Sequence, residues 1–176
     1  MQKLTHARIV ARQVARSREP RVPVSVVLDN IRSLDNVGAI FRTADGAGVK
    51  KLWLCGITGF PPQGKIARTA LGAEESVAWE YAKDVVDVVR AHKAQGFSVV
   101  LLEQVHASVV YDEFIPDAPV CLVIGNEVDG ISDEVVKLAD LALEIPMAGI
   151  KNSLNVAVAF GVAVFHVARA CKRAGL

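Results

Sequence analysis

The chain has 176 residues, which is enough for one domain with a proper core and too few for two domains of ordinary size. Apolar residues make up 52% of it, yet no run reaches the roughly 18 uninterrupted apolar residues of a membrane helix, so we expect no membrane partner. The net charge of +1 is unevenly distributed, because residues 1–22 carry six basic groups and one acid whereas the rest carries fourteen basic and eighteen acidic groups.

The first 22 residues form a basic arm. Its six basic side chains are those of Lys3, Arg8, Arg12, Arg16, Arg18 and Arg21. Three of the arginines, at positions 8, 12 and 16, recur at a spacing that puts them on one face of a helix. That face is either simply solvated or binds the phosphates of a nucleic acid. We therefore divide the chain into an arm, residues 1–22, and a single domain, residues 23–176.

Strands and helices alternate after the arm. The run "VPVSVVLDN" predicts a buried strand that ends in polar residues, and a helix follows from Asn36 to Ala47. The second strand, "KLWLCGI", leads into the Gly- and Pro-rich loop "GITGFPPQGK". A short strand in "SVAWEYA" precedes a helix over Asp84–Ala94.

Three more strands are predicted in "FSVVLLE", "APVCLVIG" and "LALEIPM", and a helix over about 153–173 closes the chain. This alternation predicts the α/β class, with a mostly parallel sheet covered by helices on both faces. In such sheets ligands bind beyond the carboxyl ends of the strands. Three polar clusters, "DNIRSLDNVGAIFRTA", "GNEVDGIS" and "IPMAGIKNSLN", follow strands, and we expect them to meet at that edge.

The absence of several common motifs reduces the number of possible functions. The sequence has no G-x-G-x-x-G and no G-x-x-x-x-G-K-[ST], which disfavours a nucleotide-dependent oxidoreductase and a phosphate-binding NTPase. Its four histidines have no metal-ligand spacing, so we predict no metal site. Cys55, Cys121 and Cys171 are widely separated, which is typical of buried, reduced thiols in the cytoplasm.

Two charged residues lie where a charge is expensive. Glu127 follows a very apolar strand, and Arg42 lies in a helix that otherwise faces a core. Arg42 is therefore either the structural ion-pair partner of Glu127 or an anion binder. An arginine, a glutamate, a Ser/Asn pair and backbone loops, without an obvious nucleophile, suit a transfer reaction in which a cofactor supplies the group.

At the three clusters the sequence resembles the SpoU (TrmH-type) RNA ribose methyltransferases of the SPOUT class, over about residues 24–170. "NIRSLDNVGAIFRTADGAGV", "LVIGNEVDGIS" and "IPMAGIKNSLNVAVA" are similar to the three motifs of that family, in the same order. The resemblance implies a homodimer, a C-terminal trefoil knot, and S-adenosylmethionine bound in the knot. The expected reaction is methyl transfer to a ribose 2′-hydroxyl of tRNA or rRNA, with tRNA slightly favoured. The alternative is a knotted RNA-binding or assembly factor that has lost catalysis.

The resemblance also assigns residues to roles. The implied catalytic residues are Asn36, Arg42, Glu127, Ser153 and Asn155. The implied cofactor-binding residues are Leu102, Glu103, Gly125, Ile145, Met147, Ser153 and Leu154. The segment "KIARTALGAEE" is similar to the family's loop between motifs, so Arg68 and Thr69 are expected to face RNA. Together with Arg42 and with Arg8, Arg12 and Arg16 of the arm, they make up the expected RNA-binding residues. Because a guanidinium is effectively always protonated, we expect Arg42 to hold a phosphate and stabilise alkoxide charge.

Overall fold

A single parallel sheet forms the centre of the computed structural model, which describes residues 2–17 and 19–176. Its seven strands in these ranges are β1 (Val22–Asp29), β2 (Val49–Cys55), β3 (Trp79–Ala82), β4 (Ser98–Leu102), β5 (Val109–Val110), β6 (Val120–Ile124) and β7 (Leu141–Glu144). They lie in the order β3-β2-β1-β6-β4-β7-β5, and every neighbouring pair is parallel. The predicted sheet is thereby confirmed. The two residues of β5 are too few for an apolar pattern to indicate them.

Helices cover both faces of the sheet, as the alternation predicted. The helices are α1 (His6–Arg16), α2 (Leu34–Ala47), α3 (Gly64–Ala70), α4 (Ala73–Ser76), α5 (Val85–Ala94), α6 (Asp133–Val136) and α7 (Val156–Ala174), with a 3₁₀ turn at Tyr111–Glu113. One core joins the sheet to α2, α3, α4 and α7, and a second joins its other face to α5 and α6. The predicted Gly- and Pro-rich loop is confirmed up to Gln63. The short helices α3 and α4 occupy the segment "KIARTALGAEE", which the resemblance implied to be a loop, so that expectation was wrong.

The strand at the centre shows why the sheet is buried on both sides. In β1, Val24, Val26 and Leu28 belong to one core, while Val27 belongs to the other. All four side chains are fully buried. Alternate residues of a strand point to opposite faces, so a nearly continuous apolar run is what a doubly covered parallel strand requires.

Local chemistry sets the bounds of α2 and brings α3 against it. The Ser33 hydroxyl accepts a hydrogen bond from the backbone N–H of Asn36 at 3.3 Å, and Gly48 ends the helix with a φ of 74°. A Cβ on Gly38 would lie 2.0 Å from the Thr69 hydroxyl and 2.4 Å from the Ile66 carbonyl. Glycine at position 38 therefore lets the two helix backbones approach closely.

The arm forms a helix that is separate from both cores. None of the residues of α1 is buried, and its N-terminus is capped by Thr5. Arg18 lies outside the described residues. Beyond it, Glu19 accepts a hydrogen bond from Lys172 of α7 at 2.9 Å, which connects the end of the arm to the C-terminal helix. The division of the chain at residue 22 and the knot both stay predictions.

Candidate active site

A cavity of about 560 Å³ opens at the carboxyl ends of β4, β6 and β7. Its lining includes all seven residues that the family resemblance assigned to the cofactor, namely Leu102, Glu103, Gly125, Ile145, Met147, Ser153 and Leu154. They come from three segments that are distant in sequence, and parallel strand order brings the ends of those segments to one edge. The volume lies within the range of small-molecule and cofactor sites.

The cavity is acidic. Five carboxylates line it, from Glu103, Glu127, Asp129, Asp133 and Glu144. Among the described residues of its lining there is no lysine or arginine. A concave surface of one charge sign concentrates ligands of the opposite sign. The cavity therefore favours a cationic ligand and disfavours phosphates such as those of a dinucleotide.

The loop after β6 forms one wall of the cavity. The side-chain oxygen of Asn126 accepts hydrogen bonds from the N–H groups of Val128 and Asp129, at 2.8 and 3.2 Å. Its amide donates to the Asn30 carbonyl at 2.8 Å, so one buried side chain fixes the turn and joins it to β1. Sequence reasoning did not single out Asn126. Its position directly after Gly125 at a strand end was the available signal.

Glu103 connects that wall to β4. Its carboxylate accepts from the N–H of Gln104 at 2.9 Å and from the N–H of Ile131 at 3.3 Å. A Cβ on Gly130 would lie 2.7 Å from the Glu103 carboxylate, and Gly130 has a φ of 70°. The positive φ favours glycine at position 130, and the absence of a side chain leaves room for the Glu103 carboxylate beside this backbone.

Three of the predicted catalytic residues form a hydrogen-bonded cluster beside the cavity. The Asn36 amide donates to the Glu127 carboxylate at 2.8 Å, and the Asn155 amide donates to the Asn36 side-chain oxygen at 3.1 Å. Asn155 also caps α7, because its side-chain oxygen accepts from the N–H groups of Ala157 and Val158. The cluster thus connects the ends of α2, β6 and α7. Ser153 lines the cavity nearby.

Arg42 does not join this cluster. Its side chain is exposed on α2, and among the described residues it makes no ion pair. Glu127 is bonded instead to Asn36 and, at 3.5 Å, to the N–H of Arg32. The predicted structural ion pair between Arg42 and Glu127 does not form, so that alternative was wrong. An exposed guanidinium remains available for an anion.

The expected RNA-binding residues of α3 differ in their surroundings. Arg68 is exposed and forms an ion pair with Asp35 at 2.8 Å. The Thr69 hydroxyl is directed to the backbone, with the Asp35 carbonyl at 3.1 Å, and it packs against Gly38. The structure therefore gives Thr69 a packing role. Its contact with RNA, like that of Arg68, stays a prediction.

Four buried ionisable groups, three at the sheet and one in α7, are shifted toward their neutral forms. Burial raises the pKa of Asp29 at the end of β1, although hydrogen bonds from the Ser132 N–H and the Asn30 amide oppose the shift. Burial also raises the pKa of Cys55 and Cys121 to about 12 and that of Cys171 to about 11. The prediction of buried thiols is confirmed.

No group of three or more His, Cys, Asp or Glu side chains suited to a metal ion occurs in the described parts of the chain. Within the same ranges no helix combines the length and apolar content of a membrane span.

Comparison with known proteins places this arrangement in a family. Residues 23–165 match the model of the SpoU rRNA Methylase family. The chain belongs to this family. It is 34% identical over 155 residues to the tRNA (guanosine(18)-2′-O)-methyltransferase of Aquifex aeolicus, covering 86% of this chain and 71% of that protein.

Solved structures of SpoU-type enzymes share the fold. The TrmH/SpoU tRNA modifying enzyme of A. aeolicus superposes with a TM-score of 0.81 at 29% identity, covering 95% of this chain and 86% of that one. The AdoMet-bound rRNA methyltransferase of Sinorhizobium meliloti gives a TM-score of 0.79 at 33% identity, covering 88% of this chain and 59% of that one. The SPOUT-type fold inferred from the motifs is thereby confirmed.

Proposed function

We propose that this protein transfers a methyl group from S-adenosylmethionine to a ribose 2′-hydroxyl of RNA, with tRNA slightly favoured over rRNA as substrate. The observation that carries the proposal is the acidic cavity with the Asn36–Glu127–Asn155 cluster beside it. Membership of the SpoU family supports it, and so does the similarity to a tRNA methyltransferase.

The cavity fits S-adenosylmethionine in size and in charge. Its volume accommodates a cofactor of this size, and its five carboxylates suit a ligand with a sulfonium and an ammonium group. Backbone near Gly125, Ile145 and Leu154 would hold the cofactor, together with the side chains of Glu103 and Met147. When bound, it supplies an electrophilic methyl group on the sulfonium sulfur.

The residues beside the cavity would act on the acceptor. Asn36, Glu127 and Asn155 are already fixed by their mutual hydrogen bonds, and Ser153 lies within the cavity wall. They would orient the ribose so that its 2′-oxygen faces the cavity, since holding reactants in place removes much of the entropic barrier.

Arg42 would bind a phosphate of the same nucleotide. A guanidinium matches the geometry of a phosphate and keeps its proton, so we assign it the stabilisation of charge on the 2′-oxygen as the hydroxyl proton leaves to solvent. Its exposure and its lack of an ion pair among the described residues support this role. Arg68 and the arginines of α1 would contact phosphates further along the RNA.

Radiolabelled S-adenosylmethionine tests the proposal. The protein is incubated with total tRNA and, separately, with rRNA, and the labelled nucleotide is then mapped. We expect label in a 2′-O-methylated nucleotide of tRNA. Cofactor binding without transfer to either RNA would contradict the proposal and favour the inactive RNA-binding factor. Transfer to rRNA alone would retain the reaction and reverse the choice of substrate.

We also infer that the protein acts as a homodimer in the cytoplasm. One exposed strip of α7 is apolar, with Val158 at 53% and Phe165 at 52% exposure, and Leu154 precedes it. Gly46 of α2 lies next to this strip, since a Cβ at that position would be 3.5 Å from the Phe165 ring. Pairing with a second copy would bury this surface.

Sedimentation tests the dimer. The wild type should sediment as a dimer, and Phe165→Asp should give a folded monomer because the charge would be buried without a partner. Ile57→Asp, an equally drastic change at an apolar side chain that is 64% exposed in the loop after β2, serves as the control and should stay dimeric. A wild-type monomer would contradict the inference.

A further inference from the structure

The segment from Pro146 to Leu154 forms one side of the cavity with very little support of its own. It lies outside the helices and strands, and most of its residues are exposed. Within the described chain, the one hydrogen bond that reaches it runs from the Gln104 side-chain amide to the Asn152 carbonyl, at 2.7 Å. A nine-residue segment with a single such bond is free to move unless that bond restrains it.

Gln104 is well placed to restrain this segment. It lies two residues beyond β4 and lines the acidic cavity. It also lines a smaller cavity of about 300 Å³, which Pro146, Lys151 and Asn152 border. Its side chain therefore stands between the two cavities, at the base of the segment.

The backbone of Gln104 is in turn bonded to Glu103, on the side of the loop after β6. Its N–H donates to the Glu103 carboxylate, which also accepts from the N–H of Ile131. The loop after β6 is thus connected through Glu103 and Gln104 to Asn152. Two motif loops that are distant in sequence meet through these two adjacent side chains.

We propose that Gln104 is a positioning residue that holds residues 146–154 in the conformation that binds S-adenosylmethionine. Ordering a free loop on binding costs conformational entropy, and a loop that is already ordered avoids that cost. Because Gln104 bonds to the loop backbone, loss of its amide should lower cofactor affinity and leave the methyl-transfer step unchanged. The identity of the cofactor rests on the proposed function, whereas the restraint of the loop does not.

Two substitutions of different polarity remove the same donor. Gln104→Met keeps the length of the side chain without polar atoms, and Gln104→Glu keeps its shape with an acceptor in place of the amide. Gln95→Met is the matched control, because Gln95 is exposed and its side chain makes no hydrogen bond in the described structure. Each protein is tested as the full chain.

Cleavage by trypsin measures the mobility of the loop directly, because Lys151 is exposed within it. Without cofactor, both Gln104 variants should be cut after Lys151 about 2- to 10-fold faster than the wild type, the factor expected for one lost hydrogen bond. The dissociation constant for S-adenosylmethionine should rise by a similar factor, with kcat within about twofold of the wild type. The Gln95 control should match the wild type in all three measurements.

Several results would overturn the inference. Wild-type rates of cleavage after Lys151 in both variants would show that the amide does not restrain the loop. Equally faster cleavage at every site would show global destabilisation, and a fall in kcat at unchanged affinity would place Gln104 in the chemical step. Failure of the wild type to bind S-adenosylmethionine would contradict the proposed function instead, and the cleavage rates would still decide the role of Gln104.

Discussion

The two sides of the proposed site are organised in opposite ways. On the cofactor side, polar side chains are fixed by hydrogen bonds at 2.8–3.3 Å: Asn126 bonds to Asn30, Glu103 bonds to Ile131, and Asn36, Glu127 and Asn155 bond to one another. On the RNA side, the cationic groups of Arg42, Arg68 and α1 are exposed, and the described structure pairs only Arg68 among them with an acid.

The difference matches what each side is proposed to bind. A small cofactor is held by a rigid concave surface, because every group that is already in place avoids an entropic cost on binding. A polyanion is attracted by charge over longer distances, and exposed arginines on mobile stems can adjust to its backbone. Substitutions on the two sides should therefore change different measurable quantities.

The largest expected effect is that of Arg42→Ala. Turnover should fall on the order of a hundred- to a thousand-fold, because one charge-stabilising donor is lost, while the affinity for S-adenosylmethionine stays unchanged. Arg42→Lys should restore little, since a point charge does not replace the planar guanidinium. Single-turnover kinetics and calorimetry measure the two quantities. An active Arg42→Ala enzyme would remove Arg42 from the catalytic residues.

Asn36→Ala should have the next largest effect. It breaks both hydrogen bonds of the cluster, so Glu127 and Asn155 lose their common partner. We expect turnover to fall about 10-fold, the cost of about one hydrogen bond to a charged group, with a smaller change in cofactor affinity. The double variant with Glu127→Gln should lose less than the two single losses combined. Strict additivity would show that the cluster does not act as a unit.

Changing Arg8, Arg12 and Arg16 together to Ala should weaken RNA binding and make it less dependent on salt. The slope of log K against log salt should become shallower by about 2 to 3 units, that is about 0.7 to 0.9 for each lost phosphate contact. Cofactor affinity should not change, since α1 has no buried residue and does not line the cavity. Filter binding at several salt concentrations measures the slope. An unaltered slope would leave these arginines as a solvated helix face.

The smallest effect concerns stability and Asp29. Because burial raises its pKa above 3.8, the folded state binds more protons than the unfolded state in the window above pH 3.8, and the free energy of unfolding falls as pH rises through that window. Asp29→Asn removes this dependence. The stability of the variant relative to the wild type should therefore increase from acidic to neutral pH in urea titrations. A constant difference would show that Asp29 titrates normally in the folded protein.

The sequence by itself determined the class of fold and the order of its main elements. Continuous apolar runs at β1, β4 and β6 predicted strands buried on both faces, because each such run leaves no polar side for solvent. The family resemblance assigned seven residues to the cofactor and all seven line the cavity, five of them within the three motifs. It did not determine α3, α4 or β5, whose short spans carry no clear period.

Only the tertiary structure decided which polar groups meet. On sequence grounds Arg42 was the candidate partner of Glu127, whereas the fold gives Glu127 the amide of Asn36, since the side chains of Asn36 and Arg42 leave α2 in different directions. Asn126 and Gln104 carried no chemical motif of their own. Their roles depend on contacts 96 and 48 residues away, which arise only when parallel strands bring their carboxyl ends to one edge. The pattern of apolar residues along a chain indicates which side chains are buried. Which distant polar groups form hydrogen bonds is decided by how the elements pack.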